Sequence, residues 1–157
     1  MDQNKLIINQ YEHKYAEQTV KMWRDSKERA LGQKAIRSME EHIYFLNHIL
    51  PVRFQIEVVI IDEQVVGIIA YNESEINQLY IHIDYQGIGI GQTLLNRVKD
   101  KSSGKLTLYT FEVNKIAQRF YEKHGFKVIA RGHENEESLS DIQYEWQTAP
   151  TDSGHTT

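Results

Sequence analysis

The stretch that most constrains this chain is Gln86-Gly87-Ile88-Gly89-Ile90-Gly91. Three glycines at alternate positions let a backbone turn tightly and leave no β-carbon between its N–H groups and a ligand. The run before them, Ile76 to Ile83, has strand character, and after them Ile90, Leu94, Leu95 and Val98 recur at helical spacing. The glycines therefore sit where a strand becomes a helix. The unpaired N–H groups and positive dipole end of that helix favour a phosphate there. A turn that merely joins strand to helix is the competing reading. The dinucleotide signature GxGxxG, counted from Gly87, requires glycine where the chain has Gln92, and the Walker pattern GxxxxGK[ST] is absent. The pattern points to a phosphate loop of another kind.

The rest of the chain alternates strand and helix. Leu6-Ile7-Ile8 is β-prone, and Ala16, Val20 and Trp23 follow at i, i+4, i+7. Ser38 and Glu41 have capping-box spacing, and Ile43, Leu46, Ile49 and Leu50 form an apolar stripe that Pro51 ends. Phe54 to Tyr71 reads as a hairpin around Asp62-Glu63-Gln64. After the glycine loop and its helix, Leu106 to Tyr109 is strand. Ala117, Phe120, Tyr121 and His124 mark a helix ending near Gly125, and Phe126 to Ala130 returns as strand. A polar loop from Gly132 to Ser140 leads to a last half-buried strand through Ile142, Tyr144 and Trp146. The order βααβββαβαββ predicts an α/β chain, a mixed sheet with helices on both faces, in one domain over residues 1–148. Residues 149–157 read as a disordered tail.

Composition removes several classes of function. With 157 residues, 40% of them hydrophobic, the chain suits one core. A formal charge of −4 lacks the basic excess that drives binding to nucleic acid. No apolar run approaches the ~20 residues of a membrane span, and Met1-Asp2-Gln3-Asn4-Lys5 lacks the apolar stretch of a signal peptide, so a cytoplasmic protein is expected. The chain has no cysteine, hence no disulfide, thiolate metal site or cysteine nucleophile. Its 7 histidines form no HExxH-like pair, and no metal is expected.

The segment Gln86-x-x-Gly89-x-Gly91 resembles the Q/R-x-x-G-x-G/A signature of the GNAT family of acyl-CoA N-acyltransferases. Leu79-Tyr80-Ile81-His82 through Tyr85 is similar to that family's fourth strand, and Asn114-x-x-Ala117-x-x-Phe120-Tyr121-x-x-His124-Gly125-Phe126 to its later helix and following strand. The resemblance spans roughly residues 5 to 147 and is specific from Ile76 to Val128. It implies a central, mostly antiparallel sheet whose fourth and fifth strands splay apart to admit the pantetheine arm of acetyl-CoA, the acyl donor. Backbone groups of Leu79, Tyr80, Ile81, His82 and Ile83 would face that arm. The amides of Gln86, Gly87, Ile88, Gly89, Ile90, Gly91 and Gln92 would take the pyrophosphate. Asn114 and Ala117 complete the implied cofactor set, and Lys115, Arg119 and Lys123 stand near the implied adenosine phosphate, although a solvated helix face also explains these three.

The same resemblance implies direct transfer of acetyl to a primary amine in a ternary complex. Tyr121 matches a tyrosine that many members hold near the cofactor sulfur; the plainer reading is an aromatic of the Ala117-Phe120-His124 stripe. Glu75 matches an early fourth-strand glutamate or histidine that serves as base, against the plain reading of a solvated turn residue. Asn77 occupies a second such position without being able to accept a proton usefully. His82 reads as a pocket-wall histidine. The acceptor, a small molecule or a peptide amine, is unnamed by the sequence, and Asp25, Glu40 and Glu41 read first as helix-surface charges. Whether the chain forms a homodimer is left open. The rival functions are an idle acyl-CoA-binding or sensing domain on the same fold and a nucleotide-binding regulatory module.

Overall fold

The computed structural model describes residues 5–148; the tail expected at residues 149–157 lies outside them. Among the described residues, seven strands and four α-helices follow the expected order. They are β1 (Leu6–Gln10), α1 (Ala16–Leu31), α2 (Met39–Tyr44), β2 (Gln55–Ile61), β3 (Gln64–Tyr71), β4 (Ile76–Ile81), α3 (Ile90–Lys101), β5 (Lys105–Phe111), α4 (Lys115–Lys123), β6 (Lys127–Gly132) and β7 (Asp141–Gln147).

Local chemistry sets the boundaries. Gly32, at φ 66°, ends α1 in the left-handed conformation that a side chain resists. Ser38 Oγ accepts from the Glu41 amide at 3.1 Å, and Glu41 Oε1 accepts from the Ser38 amide at 2.8 Å. This is the capping box expected from the spacing, and it occupies Glu41 at the helix start. The apolar stripe beyond α2 continues as a wide π turn over Phe45–Ile49 and a 3₁₀ turn over Leu50–Val52, with Pro51 in the first turn of the latter. The β2–β3 hairpin closes through Asp62 and Glu63, both at positive φ, in the two-residue geometry whose twist matches paired strands.

The strands form two antiparallel sheets, ordered β1-β2-β3-β4 and β5-β7-β6. Two apolar layers cover the first sheet. On one face Val58, Ile60 and Ile68 pack with Val20, Trp23 and Leu46 from α1 and the turn after α2. On the other, Val59, Ile69 and Ile76 pack with Leu94, Leu95 and Val98 of α3, and this layer runs on through Leu106, Leu108 and Tyr144 of the second sheet and Phe126 just before β6. The two sheets meet only where β4 approaches β5. There the Thr107 amide donates to Ser74 O at 3.0 Å and the Ser103 amide to Glu73 O at 2.9 Å, with a single parallel bridge between Glu75 and Thr107. Beyond that point no ladder joins β4 to β5 among the described residues. The expected splay is therefore present, with its vertex at residues 73–75 and 103–107.

Candidate active site

The gap between β4 and β5 is lined by backbone. A one-residue bulge in β4 pairs Tyr71 with Ile76 but Ala70 with Gln78, so Asn77 is the extra residue. Past the bulge, Leu79 and Ile81 pack toward the α3 layer, and Tyr80 packs toward the α1 layer. The His82 amide donates to Val66 O of β3 at 2.8 Å. By the alternation of an antiparallel ladder, Tyr80 and Gln78 also turn their backbone groups to β3, and those of Leu79 and Ile81 face the gap. Of the five residues expected to serve there, the backbone geometry thus aims Leu79 and Ile81. Tyr80 and His82 are bonded to β3, and Ile83 begins a 3₁₀ turn.

The glycine loop starts at the open end of this gap. Gln86 turns its side chain back, Nε2 donating to Ile81 O at 2.9 Å, which ties the loop to the strand end. Gly87 and Gly89 hold φ of 79° and 94°, and a β-carbon at either would meet nothing within 4 Å. The space above them is open, and their requirement for glycine is conformational. Gly89 caps α3, whose first helical bond runs from the Thr93 amide to Gly89 O at 3.0 Å. The amides of Ile90, Gly91 and Gln92 precede that bond and have no helical acceptor. Gly91 has a different task. A β-carbon there would lie 3.2 Å from Phe120 Cζ, so its absence admits α4 against the start of α3.

Helix α4 opens on Asn114, whose Oδ1 accepts from the Ala117 amide at 3.2 Å. Asn114 thus has a capping task, and Ala117 packs at the edge of the α3 layer. Lys115, Arg119 and Lys123 are exposed on α4. Tyr121 is 7% exposed and ringed by Phe120, Phe126 and Tyr144, with centroids at 5.2, 5.4 and 6.4 Å. Tyr144 gives its hydroxyl to Glu122 at 2.7 Å, whereas those of Tyr121 and Tyr80 have no protein partner among the described residues. Burial raises the pKa of Tyr121 well above the ordinary 10.0, and the nearby Tyr80 adds to the shift. Tyr80 is raised likewise, by burial and then by the charge of Glu137. Both stay protonated hydroxyl donors through the neutral range.

Glu75 sits at the vertex itself. Its carboxylate lies 3.9 Å from Arg53 Nη2 and accepts from Asn77 Nδ2 at 3.4 Å. His82 caps the short turn after β4, its Nδ1 accepting from the Asp84 amide at 3.0 Å, and its ring meets Tyr85 edge-on at 5.5 Å.

Sequence reasoning did not find the cavity on the α1 side of β4. About 190 Å³ in volume, it is walled by Trp23, Leu31, Ile36 and Phe45, reaches Gln78 of β4, and is edged by charge. Lys27 and the 9%-exposed Glu137 form a 2.7 Å ion pair, and Arg37 pairs with Glu136 at 2.9 Å. Gln33 Nε2 donates to Glu137 O at 3.5 Å, and Glu28 accepts from the Ala35 amide at 2.9 Å. The α1–α2 connection and the β6–β7 loop are thereby clasped over the cavity. Residues 132–140 read in sequence as a plain polar loop, and nothing local signals that Glu137 turns inward or that Glu136 reaches Arg37. The acids considered from sequence lie elsewhere: Asp25 pairs with Lys21 on the α1 surface at 3.3 Å, and Glu41 belongs to the capping box.

Several solved structures share this architecture. The chain aligns with apo YjaB of Escherichia coli at a TM-score of 0.74 and 23% identity, covering 92% of this chain and 99% of that one. The PaiA N-acetyltransferase of Thermoplasma acidophilum, solved with coenzyme A, aligns at 0.70 and 23%, covering 91% and 99%. YncA of Salmonella typhimurium, a putative acetyltransferase solved with acetyl-CoA, aligns at 0.68 and 15%, covering 97% and 99%. No curated protein matches by sequence. The profile of the acetyltransferase (GNAT) domain matches residues 53–128, the span holding the vertex, the glycine loop and α4. Residues 53–128 thus carry the pattern of a GNAT acetyltransferase domain, and the fold around them is the one these acetyltransferase structures share.

His42, on the cavity wall, supplies a check on this geometry. Burial and then the charges of Arg24, Lys27 and Arg37 lower its pKa from 6.5 to about 4, against a small opposing effect of Glu136. Folding therefore favours the neutral ring, and the resulting stability is present above pH 6.5 and lost as pH falls toward 4. Thermal melts across that window are expected to show a steeper loss for wild type than for His42→Asn. Equal slopes would show that another group titrates.

Proposed function

We propose that this protein is an acetyl-CoA-dependent N-acetyltransferase that moves acetyl directly to a primary amine in a ternary complex. The observation that carries this reading is the unpaired edge of β4 beyond the vertex, continuous with the glycine-capped start of α3. Backbone groups of Leu79 and Ile81 suit an extended amide-bearing chain, as an added strand suits a sheet edge. The amides around Gly87 to Gln92 suit a pyrophosphate. An arm lying between them leaves its thioester near the bulge at Asn77, within reach of an amine entering past Gln78. Coenzyme A and acetyl-CoA in the PaiA and YncA structures support the choice of donor.

In the reaction, the neutral amine nitrogen bonds to the thioester carbonyl carbon and the carbon–sulfur bond breaks. The nitrogen's surplus proton leaves, and the departing thiolate is stabilised and protonated. Tyr121 is the proposed donor to sulfur. Its raised pKa makes a hydrogen bond the better description of that task, because complete transfer from such a phenol to a thiolate, whose conjugate acid has a pKa of about 8.5, runs uphill. Glu75 is the proposed base, acting through water from the vertex.

Three substitutions test these assignments. Gly89→Val forces a branched side chain to positive φ and fills open space above the loop, and is expected to weaken CoA binding by calorimetry at least about tenfold. Unchanged affinity in a folded variant removes the loop from the site. Tyr121→Phe keeps the ring and deletes the donor. With a verified acceptor under chemistry-limited conditions, kcat should fall about ten- to a hundredfold, the worth of a hydrogen bond to a charged group, with CoA binding unchanged. A wild-type kcat returns Tyr121 to the packing stripe. Glu75→Gln keeps shape and removes basicity, so it should lower kcat/KM with CoA binding unchanged. A wild-type kcat/KM assigns the base elsewhere.

A further inference from the structure

We infer that the acceptor amine also carries an anionic group, a carboxylate or a phosphate, which Arg24 receives in the cavity between α1 and β4; this rests on the N-acetyltransferase reading above. Once Lys27 is paired with Glu137 and Arg37 with Glu136, two cations of the cavity edge are left without a carboxylate partner among the described residues, Arg24 and Lys34, against one acid, Glu28, already held by the Ala35 amide. The cavity is therefore net positive after pairing. Arg24 is half-buried, and among the described residues its guanidinium makes one hydrogen bond, from Nη1 to the Arg37 carbonyl at 2.7 Å. A guanidinium carries five N–H donors in a fork that matches carboxylate or phosphate oxygens, so most of its capacity is unused. A partly desolvated cation without a counter-ion is costly, and a ligand anion removes that cost.

The same wall shows a second shortage of acceptors. Trp23, 2% exposed, has a buried indole N–H with no partner among the described residues. Buried donors of this kind are ordinarily satisfied. The wall thus offers donors in excess, the reverse of what a simple cation or a polyamine requires. The apolar sides, Leu31, Ile36 and Phe45, suit a modest aliphatic or aromatic body between the two polar ends. The His42 ring, held neutral, adds no competing charge at neutral pH. Gln78 marks the end of the cavity nearest the β4 bulge, so an acid seated at Arg24 has its amine free to point toward the thioester.

The test compares each acid with the amine lacking it: leucine with isoamylamine, tyrosine with tyramine, and ethanolamine phosphate with ethanolamine, with spermidine as the cationic contrast. Acetyl transfer is read as CoA release, and the product is identified by mass. The acids are expected to exceed their partners at least about tenfold in kcat/KM, the first two pairs reporting a carboxylate and the third a phosphate. Arg24→Gln should raise KM for the preferred acid by a similar factor, leave KM for acetyl-CoA unchanged, and erase the difference within the pair. Preference for isoamylamine, tyramine or spermidine, or an Arg24→Gln variant that keeps the preference for acids, overturns this inference and leaves the acetyltransferase reading standing. If no amine turns over while acetyl-CoA binds, the acetyltransferase reading fails separately. Calorimetric titration of the CoA complex with the acids then still decides the anion site: binding lost in Arg24→Gln supports it, and no binding to wild type overturns it.

Discussion

Everything distinctive in this structure depends on a hydrogen-bond ladder that begins and then stops. Strands β4 and β5 are joined through Ser74 and Thr107, with Ser103 and Glu73 alongside, and then part. Unpaired strand edges inside a protein are expensive and invite any chain that can complete them. Here each strand is paired on its far side, β4 to β3 and β5 to β7, so each side of the gap is held by its own ladder. The layer of α3 and α4 spans both, through Leu94, Leu95, Phe126 and Tyr144. The open edge is consequently a fixed property of the fold.

Geometry at the mouth of the gap follows from that fixed edge. Strand β4 delivers the chain to Gln86, which ties back to Ile81, and the two positive-φ glycines turn it sharply enough for α3 to start beside the same opening. Because Gly91 lets Phe120 approach, α4 lies close against α3 and brings Tyr121 to the inner layer. One glycine run thereby sets both the anion-favouring helix start and, through packing, the position of a phenol. The first effect is conformational and the second steric, so substitutions along the run should separate them.

The sequence made this half of the molecule legible because its chemistry is local. Glycine spacing, the Ser38–Glu41 box and the Ala117–Phe120–Tyr121 stripe each act within a few residues, and the elements they announce are present. The cavity on the α1 side was illegible for the opposite reason. Lys27 and Glu137 are separated by 110 residues, and Arg37 and Glu136 by 99, so their pairing exists only once the β6–β7 loop folds over α1. Asp25 and Glu41 looked equally eligible as charges, yet one faces out from α1 and the other is consumed by a helix cap. The β4 bulge is a further case: plain alternation puts Ile76 and Gln78 on one face, and the extra residue Asn77 separates them.

Proton accounting then constrains how these parts can work together. Starting from an ammonium, the proposed transfer yields an amide, a thiol and one free proton, so two protons leave nitrogen and one reaches sulfur. The first must depart before attack, since an ammonium has no lone pair, and it goes toward solvent or Glu75. The second is lost from nitrogen as the carbon–sulfur bond breaks, when the amine has become far more acidic and the sulfur basic. Tyr121 has a pKa raised by burial, and an unassisted phenol in that setting neither ionises nor gives up its proton outright. In the proposed role it donates a hydrogen bond to the developing thiolate, and a proton arriving from the nitrogen side through water would allow it to pass its own along without ever becoming a phenolate. Burial, and then the charge of Glu137, raise the Tyr80 pKa as well, so both hydroxyls stay neutral while the negative charge is on sulfur. The buried aromatic setting therefore favours stabilising the leaving group over acting as a free acid, and the low basicity of a thiolate is what makes that sufficient.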